Sequence, residues 1–289
     1  MNLRDRLSSI LSPVELNMLY KSFDIVGDIA ILRIPEPLMD KSGVIAKAVM
    51  QIHKNVKTVL CQVGPVSGDM RLRELMWLCG EMKTETIHRE HGCLFKVDLA
   101  RCYFSPRLSF ERMRVARQVR AGEVVVNMFA GVGCFSILIA RYSEAKKVYS
   151  IDINSDAVRY MHENARLNKV ADIVEPIEGD AKEVIMTRLQ NIADRVLMPL
   201  PEKAYEYLDY ALAALKADGG IIHYYDFEHA KRGENPIAKL ANKVSGKLLT
   251  LKIDFEIQHA RIVRSVGPRW YQIVLDILIR NKGQYAPCR

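Results

Sequence analysis

The chain has 289 residues, 49% of them hydrophobic and 26% charged, which is enough apolar material for two packed domains. No apolar run reaches the ~18 residues of a membrane span. The opening MNLRDRLSSILSPVEL alternates charge with single Leu and Ile residues where a signal core would be continuous, so a cytoplasmic protein is expected. A formal charge of +8 suits a polyanionic partner without requiring one, and six scattered cysteines (Cys61, Cys79, Cys93, Cys102, Cys134, Cys288) with no C-x-x-C pair argue against a metal site or a disulfide framework.

In chain order, SFDIVGDIAILRI reads as two short strands about Gly27-Asp28 and GVIAKAVMQIHKN as a helix. KTVLCQV is a strand, and TETIHREHGCLFKVDL is a hairpin turning at His91-Gly92. This is an α+β pattern. SPRLSFERMRVARQVR then gathers Arg107, Arg112, Arg114, Arg117 and Arg120, and the last part of the chain adds Arg261, Arg264 and Arg269, a distribution that raises nucleic-acid binding as a reading.

From Val124 the pattern changes. EVVVNMF reads as a buried strand, CFSILIARYSEA as a helix, KVYSIDI as a strand and SDAVRYMHENARLNKV as a helix capped by Asn154 or Ser155. DIVEPIEGD, DRVLMPL, the helix EKAYEYLDYALAALK, the strand GGIIHYYDF and a helix from about Pro236 to Val244 follow. Two strands, around Phe255–Val263 and Tyr271–Ile279, close the chain. Strands alternating with helices predict an open, mostly parallel sheet with helices on both faces. The change of pattern near Arg101–Ser105 predicts an α+β domain over 1–104 and an α/β, Rossmann-like domain over 105–289.

An open parallel sheet binds ligands beyond the carboxyl ends of its strands. After the first of them, Ala130, Gly131 and Gly133 leave the backbone bare for close approach. The loop AGVG is too short for a triphosphate P-loop, and no Lys follows. Asp152 ends the next strand, where a carboxylate can take both hydroxyls of a ribose or, alternatively, help cap the following helix. Asp180 follows the third strand, near where an adenine amino group would lie, or is a simple loop residue. A glycine loop, a strand-end acid and a later loop acid in this order suit an adenosyl group without phosphates, and S-adenosylmethionine fits best.

The segments NMFAGVGCFSILIA, YSIDINSDAVRYMHENARLNKV, GGIIHYYDF and TETIHREHGCLFKVDLARCYFSPRLSFERMRVA together resemble the archaeal and eukaryotic tRNA (guanine-37-N1) methyltransferase family. The resemblance covers nearly the whole chain. It implies a class I Rossmann-like methyltransferase domain behind a smaller α+β domain, S-adenosylmethionine as cofactor, and the anticodon stem-loop of tRNA as partner, with methyl transfer to N1 of guanosine 37. It implies no protein partner and no membrane. Many archaeal members carry one more amino-terminal module that grips the tRNA elbow. This chain starts too late for it, so RNA affinity is expected to rest on the stem-loop and on Arg107, Arg114, Arg261, Arg264 and Arg269.

Carried over position by position, the resemblance makes Glu111 the general base, since the N1 proton of guanine must leave as the methyl arrives. The alternative is that Glu111 pairs with neighbouring arginines on a helix. Of Arg71 and Arg73, spacing favours Arg71 as the residue that meets charge on guanine O6. Tyr103 matches a tyrosine near the active site and could equally be a core residue at a domain junction. The cofactor-contacting positions fall on Arg112, Asn127, Phe129, Gly131, Asp152, Ile153, Asp180, Ala181 and Pro199.

The chain departs from the family pattern in two places. Asn127 stands where the strand usually ends in Asp, which keeps hydrogen-bonding capacity and loses the charge. Pro199 stands where the family has the Asn of Asn-(Leu/Pro)-Pro, so no side-chain amide is available there. A sister family transfers the aminocarboxypropyl group of the same cofactor and carries His and Leu in place of Cys134 and Phe135, so GVGCFS favours methyl transfer. A catalytically silent RNA-binding homologue is the third reading.

Overall fold

The computed structural model describes residues 2–20, 22–64, 68 and 70–282, which leaves Cys288 outside the described residues. The chain divides into two compact units, Met1–Ser109 and Phe110–Arg289.

The first unit contains α1 (Leu3–Leu7), α2 (Pro13–Met18), β1 (Asp24–Val26), β2 (Ile29–Leu32), α3 (Ser42–Ile52), β3 (Thr58–Gln62), β4 (Leu75–Gly80), β5 (Glu85–Glu90) and β6 (Cys93–Asp98). β1 to β4 form one sheet in chain order, parallel only between β2 and β3. Its core joins Leu7, Ala30, Leu32, Ile45, Val49 and Val59, so α1 and α3 cover one face. The two opening helices, which the sequence pattern did not reveal, are each closed by a capping box, from Asn2 and from Ser12. Gly27 turns β1 into β2 at φ 58°, and a Cβ there would lie 2.2 Å from the Thr86 hydroxyl of β5. The β5–β6 hairpin turns at His91 and Gly92, with φ of 47° and 74°, the paired positive angles of a type I′ turn.

The second unit begins inside α4 (Ser109–Ala116) and alternates from there: β7 (Val124–Asn127), α5 (Cys134–Tyr142), β8 (Lys147–Asp152), α6 (Ser155–Leu167), β9 (Val174–Glu178), α7 (Ala181–Arg188), β10 (Arg195–Met198) and α8 (Pro201–Ala214). β11 (Gly220–His229), α9 (Pro236–Thr250), β12 (Asp254–Gly267) and β13 (Trp270–Asn281) complete it. The sheet runs β12-β13-β11-β10-β7-β8-β9. The five strands from β11 to β9 are parallel, and β13 is antiparallel to both β11 and β12. The chain goes outward from β7 to β9 and then returns to place β10 on the other side of β7. Strand order therefore reverses at β7, and the crevice at its carboxyl end is where such sheets hold ligands.

Burial explains the sequence pattern. Val125, Val126, Val148, Val196, Leu197 and Ile222 are fully covered, which is why these strands read as continuous apolar runs and not as alternating ones. Lys282, just past β13, donates its ammonium protons to the carbonyls of Leu212, Ala213 and Leu215, which closes the end of α8, and to Asn191 Oδ1 at 2.7 Å. α9 extends six residues beyond the expected end at Val244, because Leu248 continues the buried stripe of Leu240 and Val244.

Candidate active site

The glycine loop lies at the switch point. Gly131 and Gly133 have φ of 55° and 89°, so both need the left-handed region. A Cβ on Gly133 would meet Met161 Cγ at 2.8 Å, which ties the loop tightly to α6. The Gly131 N–H donates to Asp152 Oδ2 at 2.6 Å, and the Asn154 N–H donates to Oδ1 at 3.0 Å. The strand-end carboxylate thus braces the loop and the entry to α6, while Asn154, not Ser155, caps that helix. Burial pushes the Asp152 carboxyl up from its ordinary range, and the two backbone N–H donors oppose it. Each oxygen keeps lone-pair capacity for a ribose hydroxyl.

Asn127, fully buried at the end of β7, donates from Nδ2 to Ser136 Oγ of α5 at 3.1 Å. Ser150 of β8 donates to the same oxygen at 2.7 Å. Among the described residues no donor reaches Asn127 Oδ1. A buried acceptor without a donor at the carboxyl end of β7 fits a bound ammonium group such as an amino-acid-bearing cofactor carries.

The other positions that the resemblance assigned to the cofactor are placed as follows. Ile153 is 52% exposed immediately after Asp152, and Phe129 packs edge-on to Tyr207 with ring centres 5.2 Å apart. Asp180 is not a simple loop residue. It caps α7 through the Lys182 N–H and accepts the Tyr207 hydroxyl at 3.0 Å on each oxygen, while Ala181 is buried in the first turn. Burial, with the carboxylate beside it, raises the Tyr207 hydroxyl above its ordinary range, so that group stays a donor. Pro199 follows β10 and precedes Pro201, the first residue of α8. Arg112 is buried on α4.

Glu111 lies on α4, 1% exposed. Arg114, one turn on, grips it with two prongs, Nε to Oε2 at 2.9 Å and Nη2 to Oε1 at 2.7 Å. Tyr225 of β11 donates its hydroxyl to Oε1 at 2.8 Å, and the Arg261 guanidinium of β12 lies 3.6 Å from Oε2. The Tyr225 ring also packs on Phe135 of α5, ring centres 6.0 Å apart, which joins the carboxylate to the helix that follows the glycine loop. The sequence offered Glu111 as a base or as an ion-pair residue. The ion pair is present, and together with the Tyr225 hydroxyl it fixes the carboxylate in place.

This corrects one expectation. Arg114 is not an RNA-facing surface arginine, because it is mostly buried between Glu111 and Asp276 of β13, Nη1 to Oδ2 at 2.5 Å. Arg107 is half-exposed and paired with Asp24. Tyr225 and Asp276 escaped the sequence reading, and Arg261, named there only for RNA, lies beside Glu111. The sign that could have found them is a polar residue inside an apolar strand, as in VLDILI for Asp276 and IIHYYDF for His223.

In the first unit, Arg71 adopts φ 54° and places its guanidinium over the Tyr103 ring, 4.6 Å from the centroid. Arg73 is committed to structure: its side chain is largely buried, Nη2 donates to the Phe104 carbonyl at 3.0 Å and lies 3.6 Å from Asp24. Of the two candidates, Arg73 is thus the one tied into the fold by its own partners.

The sequence matches the TRM5/TYW2 methyltransferase domain over residues 86–251 and the TYW2 N-terminal domain over residues 3–84. The chain belongs to the TRM5/TYW2 methyltransferase family. It is 44% identical to the tRNA (guanine(37)-N(1))-methyltransferase Trm5b of Pyrococcus abyssi over 89% of this chain and 74% of that one. The crystal structure of Trm5b from Pyrococcus abyssi superposes with a TM-score of 0.83 at 42% identity, covering 93% of this chain and 78% of that chain. The tRNA 4-demethylwyosine(37)-methyltransferase Taw21 of Saccharolobus solfataricus is 39% identical, over 90% of this chain and 94% of its own. A tRNA(Phe) (4-demethylwyosine(37)-C(7)) aminocarboxypropyltransferase of Methanocaldococcus jannaschii is 36% identical, over 87% and 95% respectively. This chain pairs a TYW2-type first domain with an α/β methyltransferase domain on a seven-stranded, mostly parallel sheet. Its TRM5 members are tRNA methyltransferases. No helix among the described residues is long and apolar enough to cross a membrane.

Proposed function

We propose that the protein methylates N1 of guanosine 37 in tRNA, next to the anticodon, with S-adenosylmethionine as donor. The observation that carries this is the buried Glu111 carboxylate, fixed by Arg114 and Tyr225 and linked through Phe135 to the helix behind the glycine loop. Bound S-adenosylmethionine supplies an electrophilic methyl group on a positively charged sulfur. The pocket residues present suit it: Asn127 Oδ1 for the amino group, Asp152 for the ribose, Ile153 and Phe129 for the faces of the base, Asp180 for its amino edge, and the bare backbone at Gly131. Arg112, Ala181 and Pro199 complete the proposed lining, with Pro199 contributing only its carbonyl.

In the proposed reaction N1 forms the new bond to the methyl carbon as the sulfur–methyl bond breaks, its electron pair staying on the sulfur of the departing S-adenosylhomocysteine, while the N1 proton passes to a Glu111 oxygen. Arg71 is assigned to the negative charge that gathers on O6, and Tyr103, whose ring already carries the Arg71 guanidinium, to stacking on the base. The GVGCFS loop supports methyl transfer over aminocarboxypropyl transfer, and so does the order of identities, 44% for Trm5b against 36% for the aminocarboxypropyltransferase. The identity to Taw21, 39%, makes methylation of a wyosine precursor at the same position the second reading.

The test is incubation with an unmodified tRNA transcript, digestion to nucleosides and mass spectrometry of position 37. N1-methylguanosine is expected. A position 37 left as guanosine, with a 4-demethylwyosine tRNA modified in parallel, would transfer the protein to the second reading.

A further inference from the structure

The ion pairs around Glu111 continue well beyond it. Arg114 is shared by two carboxylates, Glu111 and Asp276, and also reaches Asp276 Oδ1 through Nη2 at 3.0 Å. Asp276 accepts from the Gln118 amide at 3.3 Å and from His223 Nδ1 at 2.7 Å. On the far side of the imidazole, Arg195 Nη1 lies 2.8 Å from Nε2. A guanidinium only donates, so Nε2 is an acceptor and the proton sits on Nδ1, facing Asp276. Arg195 is held in turn by Glu123, at 2.7 and 3.1 Å, and by the Gln118 carbonyl at 2.9 Å. Asp276, His223 and Arg195 are all at least 96% buried.

This arrangement answers a difficulty in using Glu111 as a base. A two-pronged arginine serving one buried carboxylate would hold it so firmly ionised that it would take up a proton poorly. Once the proton arrived, the arginine would be left as a buried charge without a counter-ion, which is costly. A second carboxylate on the same guanidinium removes both obstacles. It draws off part of the positive charge beforehand and remains as the counter-ion afterwards. Asp276 is suited to that task because its own donors, a neutral histidine, an amide and the shared arginine, keep it ionised. Those donors hold its carboxyl well below the usual range against the opposing effect of burial.

We propose that Asp276 is a positioning residue for the reaction: through Arg114 it sets the basicity of Glu111, with His223 and Arg195 locking Asp276 in its orientation. This rests on Glu111 being the base. The groups facing Glu111 are Arg114 from its own helix, Tyr225 from β11 and Arg261 from β12, and Asp276 on β13 acts through the first of these.

The experiment is the pH dependence of single-turnover methyl transfer to unmodified tRNA, with the full chain, for wild type, Asp276→Asn, Arg114→Lys and Glu111→Gln. In Asp276→Asn the whole charge of Arg114 falls on Glu111. The acid limb should then move down by about one pH unit and the plateau rate should drop roughly tenfold. Arg114→Lys keeps the charge and loses the two-pronged grip, so its limb should move upward. Limbs that stay in place in both variants, whatever the loss of rate, would reduce Asp276 to a structural ion pair and overturn the proposal. If Asp276→Asn does not fold, Asp276→Ser, which removes the same charge and can still accept from His223, takes its place with the same expected shift. The reading beneath is checked separately. Glu111→Gln with wild-type rate and limb would remove the base itself, whereas an inactive Glu111→Gln beside unmoved limbs would refute only the role of Asp276.

Discussion

The two halves of the seven-stranded sheet hold their ends of the site by different means. On the β7–β9 side the crevice is built from backbone: two glycines at positive φ, two N–H groups on Asp152, and neutral side chains, Asn127, Ser136 and Ser150, beneath. On the β10–β11–β13 side it is built from charge, a chain running Glu111, Arg114, Asp276, His223, Arg195, Glu123. The difference follows from what each half is proposed to do. A cofactor has to be shaped and oriented, and fixed backbone does that cheaply. A base has to change its charge during the reaction, and only a network of counter-charges can absorb the change without an unpaired buried ion.

The largest effect is expected where the charged half is cut at its end. Glu111→Gln should lower the single-turnover rate by about 10²–10⁴-fold, with tRNA affinity and melting temperature little changed. A rate within a few-fold of wild type would show that the charged half is structural and erase the contrast.

Next comes the cofactor half. Asp152→Ala removes the brace of the glycine loop and the expected ribose acceptor together. Calorimetry should show S-adenosylmethionine binding weakened roughly 10–100-fold with the rate on saturated enzyme far less affected. Affinity equal to wild type would mean that the ribose is held elsewhere.

The same contrast explains what the sequence made legible. Asn127, the glycine loop, Asp152 and Asp180 lie within some fifty consecutive residues, one strand–loop–helix after another, so spacing alone placed them on one sheet edge. The partners of Glu111 come from far away, 114 residues along for Tyr225 and 162 from Arg114 to Asp276. No local pattern relates them, and strand order was needed to bring β11 and β13 beside α4. Arg114 was misjudged for the same reason: its charge suggested solvent or phosphate, while its counter-ion waited on the sheet. β4 went unread because LMWLCG does not alternate in sequence and only Cys79 of its six residues is buried.

A smaller effect probes the middle of the network. Burial and the flanking arginines keep the His223 imidazole neutral, its pKa lowered from 6.5 in spite of Asp276. An unfolded chain gains that proton as pH falls below 6.5 and the folded chain does not, so this part of the stability is present above that value and is lost below it. His223→Gln can donate to Asp276 and accept from Arg195 without titrating. Its stability should fall by about 1–2 kcal/mol less than that of wild type between pH 6.5 and about pH 5, followed by thermal unfolding. Equal slopes would place the proton on some other group.

The smallest effect lies on the surface. Arg269 is exposed at the β12–β13 turn with φ 60°, a conformation Asn tolerates, so Arg269→Asn removes charge with little strain. If that arginine meets an RNA phosphate, the slope of log affinity against log salt should flatten by about one unit for every tRNA alike. An unchanged slope would take this hairpin out of the RNA interface.

The site is proposed to move a methyl group and not the larger aminocarboxypropyl group. The direct measurement is transfer to unmodified tRNA, and to tRNA carrying 4-demethylwyosine, from S-adenosylmethionine labelled in either the methyl or the carboxyl carbon. Methyl label alone should reach the RNA, and on unmodified tRNA it should sit on N1 of guanosine 37. Carboxyl label in either RNA would contradict the account.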